Sequence, residues 1–346
     1  THATLSIAAM EAGAAALQHK PISNKLNEVQ ASISTARETD VVTHMFAWSD
    51  QEDFHRLESW LDAGVIGPVH EVHNWTQRPV WPQGWAELPT ETEQPEIPDG
   101  FDWQLWLGPE PDRAYHPHYT HALYRGWFPF GAGCLGDMGN YSLFQPFRML
   151  ELGPPLSVEA RPNSISRLNA DTTPSTFTSG VAWPHASTIR FQHAARGDRP
   201  PVELNWYSGG MLPDKPEAML RDGTDFEEEG MMFVGEDGII VCDFHGDNPR
   251  LIPESRMRTF DESAVEPDEI TTTSGHDEWT SAIKQGRQSR ADYTNYHALA
   301  EVTALAGVGM RFPAETLEWD SEDQMITNNS EANQYVSRTY RDGWEL

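Results

Sequence analysis

The stretch Trp127–Phe144, "WFPFGAGCLGDMGNYSLF", contains a literal G-x-G-x-x-G at Gly131, Gly133 and Gly136. Such glycines cradle a dinucleotide pyrophosphate only where a strand feeds the tight turn, a helix starts behind it and an acidic ribose partner follows about twenty residues on. Here an aromatic Trp-Phe-Pro-Phe segment comes first, and its Pro129 is unsuited to a central strand. Asp137 also sets a carboxylate where the phosphates would sit. The stretch reads instead as a tight turn that aims Asp137, Asn140 and Tyr141 into a cleft. Asp137 is expected to cap a helix over Asn140 to Leu150.

Upstream, the pattern alternates. His2 to Ala12 reads as an Ala-rich helix closed by Gly13, and Ser23 is the expected N-cap of a helix carrying Leu26, Val29, Ile33 and Ala36. "DVVTHMF" (Asp40–Phe46) has the β-branched content of a strand, and a third helix starts at Asp50 with Phe54, Leu57 and Leu61 on one face, ending at Gly64. Alternating helices and strands imply a parallel sheet, but two strands fall short of the two βαβαβ halves of a complete doubly wound domain. The segment "GAAALQ" before His19 is weak as a strand because alanine favours helix.

Downstream of Pro68 the style changes. "PVHEVHNWTQRPVWP" reads as a strand entering a proline- and aromatic-rich loop, with residues 82–120 as a long, weakly periodic connection of the kind that carries function. Strand-length runs follow at 156–162, 187–195, 201–207 and 231–244, the last with a Glu-Asp-Gly turn, and then "PRLIPE". These imply a second, mainly antiparallel sheet, followed by helices in "HDEWTSAIKQG" and "NYHALAEVTALAGVGM". The fold class is therefore α/β joined to α+β.

Composition narrows the function. The 24 Lys and Arg stand against 53 Asp and Glu, a formal net charge of −29 that repels nucleic acid and anionic lipid. Two cysteines are too few for a disulfide framework or a cysteine-based zinc site. No run of 18 apolar residues suggests a membrane span and no signal-peptide pattern opens the chain, so a soluble protein is expected, with cytoplasm and periplasm both open.

Several segments, in order, carry a resemblance: "THATLSIAAMEAG", Lys20-Pro21, "ISNKLNEVQASISTARETDVVTHMF", "AGVIGPVHEVHNWTQRPVWPQG", "FDWQLWLGP", "RGWFPFGAGCLGDMGNYSL" and "ETLEWDSEDQMITNNSEANQYVSRTYRDGWEL". Together they resemble the Gfo/Idh/MocA family, the glucose-fructose oxidoreductase and inositol dehydrogenase relatives. The resemblance implies a sugar or polyol oxidoreductase using NAD or NADP. Its architecture would be a Rossmann domain followed by an open antiparallel sheet that carries substrate and pairs copies into a homo-oligomer. Relatives that cleave glycosidic bonds through a retained NAD make a glycoside hydrolase the alternative, and a non-catalytic carbohydrate-binding protein is the second. The family's glycine-rich loop lies upstream of the segment matched by Thr1-His2-Ala3. Residues 1–65 are accordingly read as the remnant of an NAD(P)-binding Rossmann-like domain lacking its adenosine half, and residues 66–346 as the substrate and oligomerisation domain.

The resemblance also assigns residues. Lys20 matches the family lysine at the reacting hydroxyl, and Asp137 and Tyr141 join it as catalytic candidates. Asn140 stands where the family has a histidine; an amide can bind a hydroxyl but takes no proton at neutral pH. His118, His121, Arg125 and Trp127 are substrate-binding candidates, and His2, His19, Lys20, Pro21, Arg78 and Trp81 are assigned to the cofactor side. No metal site is expected, because His116, His118 and His121 lack a carboxylate or thiolate at ligand spacing and Pro117 stiffens their loop.

Overall fold

The computed structural model describes residues 1–81, 95–177, 180–266 and 270–346; residues 82–94 of the expected long loop lie outside these. The N-terminal part alternates as expected: α1 (His2–Glu11), β1 (Ala16–Gln18), α2 (Leu26–Thr39), β2 (Thr43–Met45) and α3 (Glu52–Asp62). β1 and β2 pair in parallel, with Ala16 opposite Thr43 and Gln18 opposite Met45. The alanine-rich segment thus forms a strand against its propensity. Tertiary hydrogen bonds hold it: the buried Gln18 amide donates to the carbonyls of Pro21 (2.9 Å) and Ile22 (3.1 Å), and its oxygen accepts from Tyr293 (3.0 Å). Ser23 does not cap α2. Its hydroxyl goes to the buried Glu28 carboxylate, and the helix starts two residues later behind Lys25.

After β3 (Val69–Trp75) the expected loop is partly ordered, with a short α4 (Trp103–Leu107) and a 3₁₀ turn at Pro117–Tyr119. A small aromatic core of Trp103, Leu107, Tyr115, Tyr119, Trp127 and Ala182 holds this region together. The helix expected from Asn140 instead starts earlier as a π-helical turn, Leu135–Gly139, followed by α5 (Asn140–Ser142) and α6 (Phe144–Met149). Asp137 therefore sits inside a turn rather than at an N-cap, which frees its carboxylate for partners across the fold.

The remaining strands are β4 (Pro155–Pro162), β5 (Ile165–Leu168), β6 (Pro174–Phe177), β7 (Ser187–His193) and β8 (Val202–Ser208). After α7 (Glu217–Asp222) come β9 (Gly230–Gly235), β10 (Gly238–Cys242), β11 (Arg250–Ile252) and α8 (Glu254–Met257). The chain closes with α9 (Gly275–Gln285), α10 (Tyr293–Gly309), β12 (Thr316–Asp320) and β13 (Met325–Ile326). The large sheet has the order β11-β10-β9-β3-β8-β7-β4-β12-β13 and is antiparallel except where β3 runs parallel to β8. β5 and β6 form a separate hairpin that the sequence patterning did not signal.

Period-2 alternation divides the sheet's two faces. Val158, Ala160, Ile189, Phe191, Leu204 and Trp206 point into the core, while Glu159, Arg161, Arg190, Glu203, Asn205 and Tyr207 form a polar outer face. α10 is buried almost all round, as a helix apolar on every side must be. It packs on α2, β2, β4 and α6 and so ties the parallel unit to the large sheet. Gly309 allows this approach: a Cβ there would stand 3.1 Å from Val158. Among the described residues no helix is long and apolar enough to cross a membrane.

Candidate active site

Lys20 leaves the end of β1 with its side chain only 6% exposed, and the glycine loop brings Asp137 to meet it. The Lys20 ammonium donates to Asp137 Oδ1, and Arg125 Nε lies 3.7 Å from the same oxygen. The Arg125 guanidinium packs over two rings, 4.8 Å from the Tyr124 centroid and 5.7 Å from that of Trp81. Beside this group, His19 Nε2 and the Tyr141 hydroxyl are 2.9 Å apart, and the Lys20 ammonium stands 5.1 Å from the Tyr141 ring centroid.

Burial sets the protonation of the outer pair. It pushes the Tyr141 phenol up, helped by the Asp137 charge, and lowers the His19 imidazole, helped by Lys20. The two therefore meet as neutral groups. His2 is also lowered by burial and bonds the Pro21 carbonyl through Nδ1 at 2.9 Å. Cys134, in the glycine loop, is fully buried with its thiol pushed up by desolvation, so it supplies no thiolate nucleophile.

These side chains surround a cavity of about 310 Å³, at the small end of the roughly 300–1,000 Å³ of small-molecule pockets. Of the residues singled out from sequence, His2, His19, Lys20, Pro21, Arg125 and Asp137 line it. Tyr141 adjoins it through His19 and Lys20, and Trp81 through the stacked Arg125. The others lie elsewhere. Asn140 is 1% exposed and spends its amide on the Gly136 carbonyl at 2.8 Å, which braces the π-helical turn and does not contact the cavity. Trp127 belongs to the small aromatic core and donates to the His118 carbonyl, 2.8 Å away. His121 takes a positive φ of 50° on the exposed surface. Arg78 points its Nε toward Glu229 at 3.8 Å. Among the described residues no group of three or more His, Cys, Asp or Glu converges as metal ligands would.

The sequence reading missed Asn24, Glu110 and Arg338, which also line the cavity. Asn24 holds the glycine loop by donating to the carbonyls of Phe128, Pro129 and Gly131 at 3.1–3.3 Å. Arg338 donates to Asn24 Oδ1 at 2.8 Å and pairs with Glu28 and Glu110. No local pattern marks Arg338, which arrives from a distant point in the sequence. Packing within the fold accounts for the glycines of the G-x-G-x-x-G, with a left-handed backbone added at Gly133. A Cβ on Gly131 would stand 2.2 Å from the Arg125 carbonyl oxygen, one on Gly133 2.4 Å from the Trp183 ring, and one on Gly136 2.2 Å from Ala132.

Residues 55–160 match the model of the oxidoreductase family, C-terminal alpha/beta domain, of the Gfo/Idh/MocA group. A search of curated protein sequences gave no match. Solved structures share the fold. The WlbA dehydrogenase from Bordetella pertussis, in complex with NADH and UDP-GlcNAcA, is 11% identical with a TM-score of 0.55, over 92% of this chain and 76% of that one. An NAD-binding protein from Listeria innocua is 12% identical with a TM-score of 0.52, over 92% and 78%. The aldose-aldose oxidoreductase from Caulobacter crescentus, complexed with glycerol, is 13% identical with a TM-score of 0.50, over 92% and 76%. The matched domain contributes Arg125, the glycine loop and Asp137 to the cavity, and over residues 55–160 the chain is similar to the C-terminal domain of the Gfo/Idh/MocA oxidoreductases.

Proposed function

We propose that the cavity is the active site of an NAD- or NADP-linked oxidoreductase acting on a sugar or polyol, with residues 1–65 on the cofactor side and 66–346 on the substrate side. The observation that carries this reading is the buried Lys20–Asp137 pair at the cavity wall. Oxidising a carbinol requires a group to steady the oxygen and a base to take its proton. Paired as an ammonium, Lys20 has no lone pair to offer, so it hydrogen-bonds the reacting hydroxyl while Asp137 takes the proton. Arg125 Nε stands 3.7 Å from the same Asp137 oxygen, and the neutral His19–Tyr141 pair fixes the lysine's surroundings.

The cofactor enters this reading from the structural relatives, two of which are named for NAD or NADH. His2, His19, Lys20 and Pro21 fit the reactive ring, since they line one wall of the cavity around the proton-handling pair. Bound there, a nicotinamide would accept the hydride that leaves the substrate carbon. Among the described residues there is no glycine-rich strand-to-helix turn that fits the pyrophosphate; the turn at Gly131–Gly136 is filled by Arg125, Trp183 and Ala132. Homo-oligomerisation through the outer sheet face is part of the same proposal, supported by interleaved charges such as Arg190 and Glu203, 3.2 Å apart.

The test is absorbance at 340 nm when the protein is mixed with NAD⁺ or NADP⁺ and a panel of aldoses and polyols. Reduced cofactor forming with at least one substrate supports the reading. Hydrolysis of chromogenic glycosides with no such signal would transfer the site to the glycoside hydrolase alternative.

A further inference from the structure

Of the three side-chain cations that line the cavity, two are hydrogen-bonded to carboxylates. Lys20 takes Asp137, and Arg338 takes Glu28 and Glu110. Arg125 is left over. Among the described residues its guanidinium has no hydrogen-bond acceptor, and its one carboxylate neighbour is the Asp137 oxygen already held by Lys20, at 3.7 Å. In a chain of net charge −29, a cavity-facing guanidinium without a hydrogen-bonded carboxylate is a donor left for a ligand.

Arg125 is also held in a set orientation. Its guanidinium lies against the faces of Tyr124 and Trp81, which fixes its plane while leaving the side chain 33% exposed. Its main chain is locked as well, because only a glycine at 131 clears its carbonyl. A planar fork held in this way presents parallel N–H donors to a carboxylate.

We propose that the substrate of this site is a sugar acid, a polyhydroxylated compound carrying one carboxylate, and that Arg125 is the residue that selects it. The inference rests on the oxidoreductase reading above and narrows its substrate class. One guanidinium without a hydrogen-bonded carboxylate matches one carboxylate of a ligand; a phosphate dianion would call for a second such cation, and the other two at this cavity are already hydrogen-bonded to carboxylates. A cavity of about 310 Å³ suits a single six-carbon acid. Asp137 disfavours the acid electrostatically, so its neutralisation should tighten binding even as it removes the proton acceptor.

The experiment is isothermal titration calorimetry on the purified protein with matched probes: D-glucuronate against D-glucose, D-galacturonate against D-galactose, D-gluconate against D-glucitol, and D-glucose 6-phosphate. At least one acid should bind about tenfold or more tighter than its neutral partner, as expected for a hydrogen bond to a charged group. Arg125→Gln should erase that preference, read as the ratio of acid to neutral-sugar affinity, and Asp137→Asn should increase it. Arg125→Lys, which keeps the charge and loses the fork, should retain part of it. If Arg125→Gln fails to fold by near-ultraviolet circular dichroism, the wild-type preference and Arg125→Lys decide. Neutral sugars binding as tightly as every acid would overturn the acid proposal and leave the sugar reading standing. Tighter binding of the sugar phosphate would overturn the carboxylate assignment. Binding of neither class would remove both the proposal and the reading beneath it.

Discussion

Lys20 and Asp137 form a buried ion pair, so each depends on the other in the fold. Removing one partner of a buried ion pair strands the other charge and typically costs about 3–5 kcal/mol, whereas replacing both costs less than the sum. Lys20→Met and Asp137→Asn should each lower the urea midpoint, and the double variant should recover part of the loss; strict additivity would mean that the pair is not coupled. His193 offers a second test. It is 1% exposed, bonds the Gly153 carbonyl through Nδ1 at 2.8 Å, and burial lowers its pKa to about 4. The unfolded imidazole binds its proton near pH 6.5, so the unfolded state holds more protons between pH 6.5 and 4. The stability that neutral His193 allows is therefore complete above pH 6.5 and lost as pH falls toward 4, by on the order of 3 kcal/mol. Denaturation midpoints measured across that window should fall steeply in the wild type and less so in His193→Gln.

Among the elements, the glycine loop is the most exacting. Gly133 has φ +64° and stands against the Trp183 ring, so Gly133→Ala combines a strained backbone with overpacking and should cost at least about 1–3 kcal/mol, read from urea unfolding. Several elements were legible in sequence: α2, α9 and α10, the β9–β10 hairpin, and the strand-length runs of β7 and β8. The π-helical turn was not, since nothing local separates it from a capped helix start. β1 was doubtful because its stability comes from the Gln18 side-chain network rather than from propensity. Among the cavity-lining residues, Lys20 and Asp137 are singled out by motif resemblance, whereas Asn140, read from sequence as facing a cleft, is a brace within the fold. Arg338 and Asn24 were invisible, because their roles exist only once the C-terminal tail folds back across α2.

At the scale of the whole molecule, α10 and the continuous core make the cavity a junction, with Lys20 and His19 supplied from the β1 side and Arg125 and Asp137 from the matched domain. The proposed pairing of copies uses the polar outer face of the large sheet. Light scattering after size exclusion should show a homo-oligomer, and Arg190→Glu, which reverses one charge of that face, should shift it toward monomer without changing the cavity; an unchanged mass would move the interface elsewhere. The central claim is that Lys20 and Asp137 carry the proton chemistry of a cofactor-linked oxidation. Its most direct test is kcat/KM for NAD(P)-linked oxidation of the best substrate, compared between wild type, Lys20→Met and Asp137→Asn, each shown to be folded. Losses of about 100-fold or more in both variants are the expected result, and rates within about threefold of wild type in either would contradict the account.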